Sequence, residues 1–169
     1  MSKDIKVKKG LDLRFKGEAE KTLVDAPRSK TFAIKPPDFH SVVPKLTLKE
    51  GAKVLAGEEI FFSKYNKELK FVSPVSGEVK EVVRGAKRRV LEVVIQADQT
   101  NSYKEYDRID IASADAKVVK NRVFESGCGA FIKQRPYDVV ANSEDTPKAI
   151  YVSTYNTAPL AADPDFFLQ

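Results

Sequence analysis

Apolar and polar positions alternate through much of the first hundred residues, and the period lengthens to a helical one near residue 113. Ile5, Val7, Leu11, Leu13 and Phe15 alternate with polar neighbours around Gly10, which predicts extended chain over 5–15. Residues 22–43 contain Pro27, Pro36 and Pro37, with Pro44 just beyond. Proline cannot donate to a ladder, so loop and short strand are expected there. Strands are predicted at about 44–49, 59–63, 69–73, 77–83 and 89–96. The run Val90-Leu91-Glu92-Val93-Val94-Ile95 is dense in β-branched residues, as a well-buried strand would be. The triplet Gly-Ala-Lys occurs at 51–53 and again at 85–87, each time between strands. That doubling predicts a small folded-over β sandwich built from two similar halves.

Residues 97–112 are polar and read as a connection. Beyond them Ala116, Val119 and Val123 fall on one helical face, with Phe124 close by. Ser113 is expected to cap this helix, Asp115 suits the positive end of its dipole, and Gly127 can end it in a left-handed conformation. A second short helix is expected over 128–134, before Pro136. Ala149-Ile150-Tyr151-Val152-Ser153 reads as a short apolar strand leading into Thr154-Tyr155-Asn156-Thr157. One helix and one buried strand cannot form a sheet domain alone. The chain stops at Asp165-Phe166-Phe167-Leu168-Gln169 with no terminating signal, so a fragment cut inside a continuing α/β domain is expected.

Charge sharpens the division. Residues 1–100 carry 21 Lys and Arg against 14 Asp and Glu, whereas residues 101–169 carry 8 against 10. The shift supports a β domain over 1–100, a linker over 101–112, and the start of an α/β domain over 113–169. A basic module suits an acidic partner or an anionic membrane face, although interspersed charges also describe an ordinary solvated surface. No apolar run approaches the roughly 20 residues that span a bilayer. The N-terminus lacks the apolar core of a secretory signal. The single cysteine, Cys128, has no internal partner for a disulfide, consistent with a reducing compartment.

Few constellations carry chemistry. Gly127-Cys128-Gly129 lacks the third glycine of a dinucleotide loop, since Ile132 stands there, and it follows a helix instead of a strand. A helix cap explains it better. Lys133 and Arg135 lie near Cys128 in sequence, yet no local histidine can serve as base, and a small buried residue is the expected role. One histidine and one cysteine make a zinc site a poor fit. Arg84, Lys87, Arg88 and Arg89 form a basic cluster around the second Gly-Ala-Lys turn. No aromatic residues are interleaved, so a nucleic-acid stacking platform is not expected. The cluster reads as a solvated hairpin or as a docking surface. Biotinyl and lipoyl carriers also use two similar halves and display a lysine at the hairpin between them. Here that hairpin, Ser63-Lys64-Tyr65-Asn66-Lys67-Glu68, holds two lysines outside any carrier motif. The fold likeness stands and the carrier chemistry does not transfer.

The chain resembles the family of A subunits of the bacterial Na⁺-translocating NADH:quinone reductase. The resemblance rests on Ile5-Lys6-Val7-Lys8-Lys9-Gly10-Leu11-Asp12-Leu13 with Gly17, on Ser73-Pro74-Val75-Ser76-Gly77 followed by Arg84-Gly85-Ala86-Lys87-Arg88, on Arg135-Pro136, and on Asn156-Thr157-Ala158-Pro159-Leu160-Ala161-Ala162-Asp163-Pro164. Arg14 stands where members commonly have proline. The C subunits of Rnf electron-transport complexes are the nearest alternative, and a biotinyl/lipoyl-like carrier module the next. The resemblance implies a mixed β and α/β fold: a biotinyl/lipoyl-like barrel-sandwich hybrid, then the start of a truncated Rossmann-like α/β domain. It implies a peripheral subunit on the cytoplasmic face of the cell membrane, partnered by the membrane subunits of the same complex. NADH, flavins, an iron-sulfur centre and quinone would be carried or bound by other subunits, and no cofactor, metal or catalytic residue is expected in this segment. Docking is then its expected role, through Arg84, Lys87, Arg88 and Arg89. Tyr155, Asn156 and Thr157, past the end of the 149–153 strand, are where a quinone would be sought, because α/β sheets bind ligands beyond the carboxyl ends of their strands.

Overall fold

The structure is a computed structural model that describes residues 9–10, 13, 16–17, 20–153, 158, 161 and 164–167. The extended stretch expected over 5–15 lies mostly outside the described residues. The chain divides into two compact units, Arg28–Thr146 and a second formed by Met1–Pro27 with Pro147–Gln169.

Arg28–Thr146 contains nine strands and one α-helix. They are β1 (Thr31–Ile34), β2 (Pro44–Leu46), β3 (Lys53–Val54), β4 (Glu59–Ser63), β5 (Asn66–Val72), β6 (Gly77–Arg84), β7 (Val90–Ala97), α1 (Ala116–Glu125), β8 (Lys133–Gln134) and β9 (Val139–Val140). A four-stranded sheet runs β1-β7-β6-β3, a three-stranded sheet runs β2-β4-β5, and β8 with β9 forms a small hairpin. Every strand pair is antiparallel. The five strands expected between 44 and 96 are all present, with β1 and the short β3 added.

Alternation alone does not account for which residues face inward. Ile60 and Phe61 are adjacent and both fully buried. A register shift between Glu59 and Phe61 in the β4–β5 pair sets Ile60 in a bulge, which turns two neighbours to the same side. A second shift between Val79 and Glu81 does the opposite in β6, leaving Lys80 and Glu81 both outside. The Glu50 carboxylate accepts the Val82 N–H beside that shift at 2.7 Å.

Both sheets contribute to one core. Ile60, Phe61, Leu69 and Phe71 come from the three-stranded sheet, and Val54, Val79, Val90, Val93 and Ile95 from the other. Phe61 and Phe71 stack at 4.6 Å between ring centroids, and Phe39 meets Phe71 edge-on at the same distance. Phe124 of α1 and Ala130 join this cluster, so the helix is seated on β5.

The start of α1 corrects the sequence reading. Its cap is Asp115, whose carboxylate accepts the Lys117 N–H at 2.7 Å. Ser113 instead donates its hydroxyl to Asp110 at 2.7 Å, three residues earlier in the turn. The helix ends as expected, with Gly127 left-handed at φ 82°. A short 3-10 turn comes next over Cys128–Phe131, briefer than the helix expected to residue 134. β8 begins at Lys133 and takes the rest.

In the other unit, α2 spans Pro164–Phe167. The sequence predicts a strand at 149–153, and no strand includes these residues. Ile150, Tyr151 and Val152 are largely exposed. Their composition favours extended chain, but a strand needs a neighbour's N–H and C=O groups, and no described strand pairs with them.

Candidate functional site

The longest hairpin among the described residues joins β6 to β7, and its tip carries the basic cluster. Gly85 N–H donates to the Arg89 carbonyl at 2.8 Å, and Arg89 N–H donates to the Ala86 carbonyl at 3.2 Å. That second bond closes a four-residue turn with Lys87 and Arg88 at its centre. Both central residues are left-handed, at φ 54° and 60°. Hairpins favour such turns because their twist matches that of the strands, and Asn-Gly is the usual pair there.

Arg84, Lys87, Arg88 and Arg89 are all exposed. The Arg84 guanidinium donates to the Arg88 carbonyl at 3.3 Å. Among the described residues none of the four is in an ion pair. Other surface cations do find carboxylates: Lys35 with Glu92 at 3.4 Å, Lys70 with Glu59 at 3.3 Å, and Lys133 with Asp138 at 3.1 Å. The structure therefore brings the four predicted residues together at one tip. Tyr155, Asn156 and Thr157 lie outside the described residues.

The two Gly-Ala-Lys triplets are not equivalent. At 51–53, Gly51 turns at φ 80° into β3, and Val79 N–H donates to the Ala52 carbonyl at 2.9 Å. At 85–87 the triplet forms the exposed hairpin tip. The hairpin between the halves is a tight turn at Lys64 and Tyr65, with the Lys64 ammonium 5.9 Å from the Tyr65 ring centroid.

Cys128 is exposed, which corrects the expectation of a small buried residue. Its neighbours Gly127 and Gly129 are the buried ones. A Cβ on Gly127 would lie 2.6 Å from Val72, and one on Gly129 would lie 2.5 Å from the Phe124 ring. The glycines take the contact surface, so the residue between them points outward. Lys133 and Arg135 pair with Asp138, at 3.1 and 3.6 Å. The hydrogen bond from Lys133 holds the Asp138 carboxyl below its ordinary range. The Ser113 hydroxyl does the same for Asp110, helped by the Ala112 N–H.

A shallow cleft is lined by Lys53, Glu58, Glu78, Asp98 and Ser102. Glu58, Asp98 and Ser102 of this lining serve the fold. Asp98 accepts the Ser76 hydroxyl at 2.7 Å, that hydroxyl accepts the Ser102 N–H at 3.0 Å, and Glu58 accepts the Leu55 N–H at 2.8 Å. Among the described residues no group of His, Cys, Asp or Glu is arranged to hold a metal ion. Among them no helix is long and apolar enough to cross a membrane.

Sequence reasoning missed two features. One is the left-handed backbone beneath Lys87 and Arg88, for which the preceding Gly85-Ala86 was the only hint. The other is the tethering of residues 102–106. Ala56 pairs with Tyr103 in a parallel bridge, and the Tyr106 hydroxyl lies 3.3 Å from the carbonyls of both Gly57 and Glu125. Lys104 and Arg122 lie over the Tyr106 ring at 4.9 and 5.2 Å.

Two family models match in order. Residues 5–98 match the NqrA N-terminal barrel-sandwich hybrid domain, and residues 114–169 match the NqrA second alpha/beta domain. Among curated relatives, the A subunit of the Na(+)-translocating NADH-quinone reductase of Saccharophagus degradans is 32% identical over 166 residues, covering 97% of this chain and 37% of the relative. The protein of that name from Vibrio vulnificus is 34% identical over 167 residues, covering 98% and 37%. That from Pseudomonas aeruginosa is 32% identical over 162 residues, covering 95% and 36%. The chain thus spans little more than a third of the length of these relatives.

Proposed function

This chain belongs to the NqrA family, the A subunits of the Na⁺-translocating NADH-quinone reductase, and on that premise we propose that it is the docking portion of such a protein. Its first domain is a barrel-sandwich hybrid and its second an α/β domain. The complex it would serve couples electron transfer from NADH to quinone with sodium movement, as the relatives' name states. In this reading the boundary falls near residue 100, and the flavins, the iron-sulfur centre and quinone are handled by other subunits. The protein sits peripherally on the cytoplasmic face, against the membrane subunits.

One observation supports docking above the rest. The buried polar groups of the β module bond within the fold, whereas the cations at the β6–β7 tip are exposed and in no ion pair among the described residues. The agreement of several relatives, all named as A subunits, favours this family over the related Rnf proteins.

The test is assembly. In a host carrying the other subunits, an affinity-tagged full-length protein that includes this segment is expected to recover them, with NADH-driven quinone reduction in the eluate. The same protein lacking residues 28–146 is expected to recover none. Normal recovery and activity without that segment would sink the docking reading.

A further inference from the structure

The β6–β7 tip is built against local preference. Its two central positions are left-handed, where a Cβ is unfavourable, and they hold lysine and arginine instead of asparagine and glycine. Strain of this kind persists where the surroundings or a function hold it. Nothing in the fold uses these two side chains: both are exposed, and no ion pair among the described residues engages them. Six consecutive residues, Arg84 to Arg89, supply four cations and no carboxylate. The remaining two, Gly85 and Ala86, are small, so the tip also lacks any aromatic or large apolar anchor.

That combination narrows the partner. Protein interfaces draw most of their energy from buried aromatic and arginine anchors seated in pockets. Single-stranded nucleic acid is held by aromatic stacking. A tip of long flexible cations around two small residues offers neither pockets nor stacking. It fits a diffuse sheet of negative charge that needs no shape match, which is what an anionic phospholipid headgroup layer presents. We propose that Arg84, Lys87, Arg88 and Arg89 seat the phosphate groups of anionic phospholipids. This rests on the docking reading above only in that the segment lies against the membrane, and it gives the lipid beside the membrane subunits as what the basic tip meets.

The experiment is co-sedimentation of the 169-residue chain with vesicles. One set is phosphatidylcholine alone and the other adds phosphatidylglycerol. Binding is expected only to the second set, and weaker at higher salt. The variant K87N/R88G places Asn-Gly in the left-handed positions, so it is expected to melt no lower than the parent. Its vesicle affinity is expected to fall about 25-fold, from about fivefold for each cation removed. The control K64Q/K67Q removes two charges from the β4–β5 hairpin and is expected to keep affinity within about twofold. Equal losses in the two variants, retained binding in K87N/R88G, or tip-dependent binding to polyglutamate or an oligonucleotide in place of vesicles would each overturn the proposal. Vesicle binding through the tip, without recovery of the other subunits in the assembly test, would refute the docking reading and leave this one standing. Recovery of the subunits with no vesicle binding would do the reverse.

Discussion

A methyl group on Gly77 would sit 2.0 Å from the Gln96 carbonyl oxygen, closer than any real contact. The residue lies at the start of β6 with φ 156°, paired with Ala97 of the neighbouring β7. Its neighbours fix the approach: Ser76 donates to Asp98, and Asp98 N–H donates to the Ser76 carbonyl at 2.9 Å. Gly77→Ala is therefore expected to destabilise by ~3 kcal/mol or more, read as a lowered urea midpoint. The sequence marked this residue as the end of the family-like stretch Ser73-Pro74-Val75-Ser76-Gly77 and the start of the strand predicted over 77–83. It could not reveal how closely the neighbouring strand approaches, because that contact joins residues nineteen apart in the chain. The exposure of Cys128 was hidden for a related reason. Whether a residue or its flanking glycines face the core depends on how the helix end meets Val72 and Phe124.

At the scale of elements, strands were legible wherever β-branched residues clustered, and their ends were not. The bulges at Ile60 and Lys80 left no trace in the alternation beyond two adjacent residues sharing a face. The helix α1 shows how local chemistry with two candidates needs geometry to decide. Ser113 and Asp115 are both capping residues by type. Asp115 holds the Lys117 N–H, and Ser113 is engaged by Asp110. Asp115→Ala is expected to cost ~1 kcal/mol and to loosen the first turn of the helix, seen as faster amide exchange there. Ser113→Ala is expected to leave that turn protected, because its hydroxyl contacts no amide of α1. Equal loss of protection in the two variants would return the cap to Ser113.

At the largest scale, one core within Arg28–Thr146 serves two sheets and α1, and Phe71 stands where they meet. It is 1% exposed, stacked on Phe61 and met edge-on by Phe39. Phe71→Ala is expected to cost about 3–5 kcal/mol. Because the core is shared, β-sheet and helix signals are expected to shift to the same lower denaturant midpoint; separate midpoints would show two cores. The doubled motif and the later change of period let the sequence anticipate a β module followed by an α/β beginning, and the family matches agree. The sequence did not show that the polar stretch after residue 97 is pinned, because its ties to Ala56 and Gly57 are made across the fold by backbone groups and one tyrosine hydroxyl. That pinning removes slack. Ala56 clasps residues 102 and 104, and Tyr106 touches Gly57 and Glu125 together, so the connection is fastened to the β module at one end and to α1 at the other.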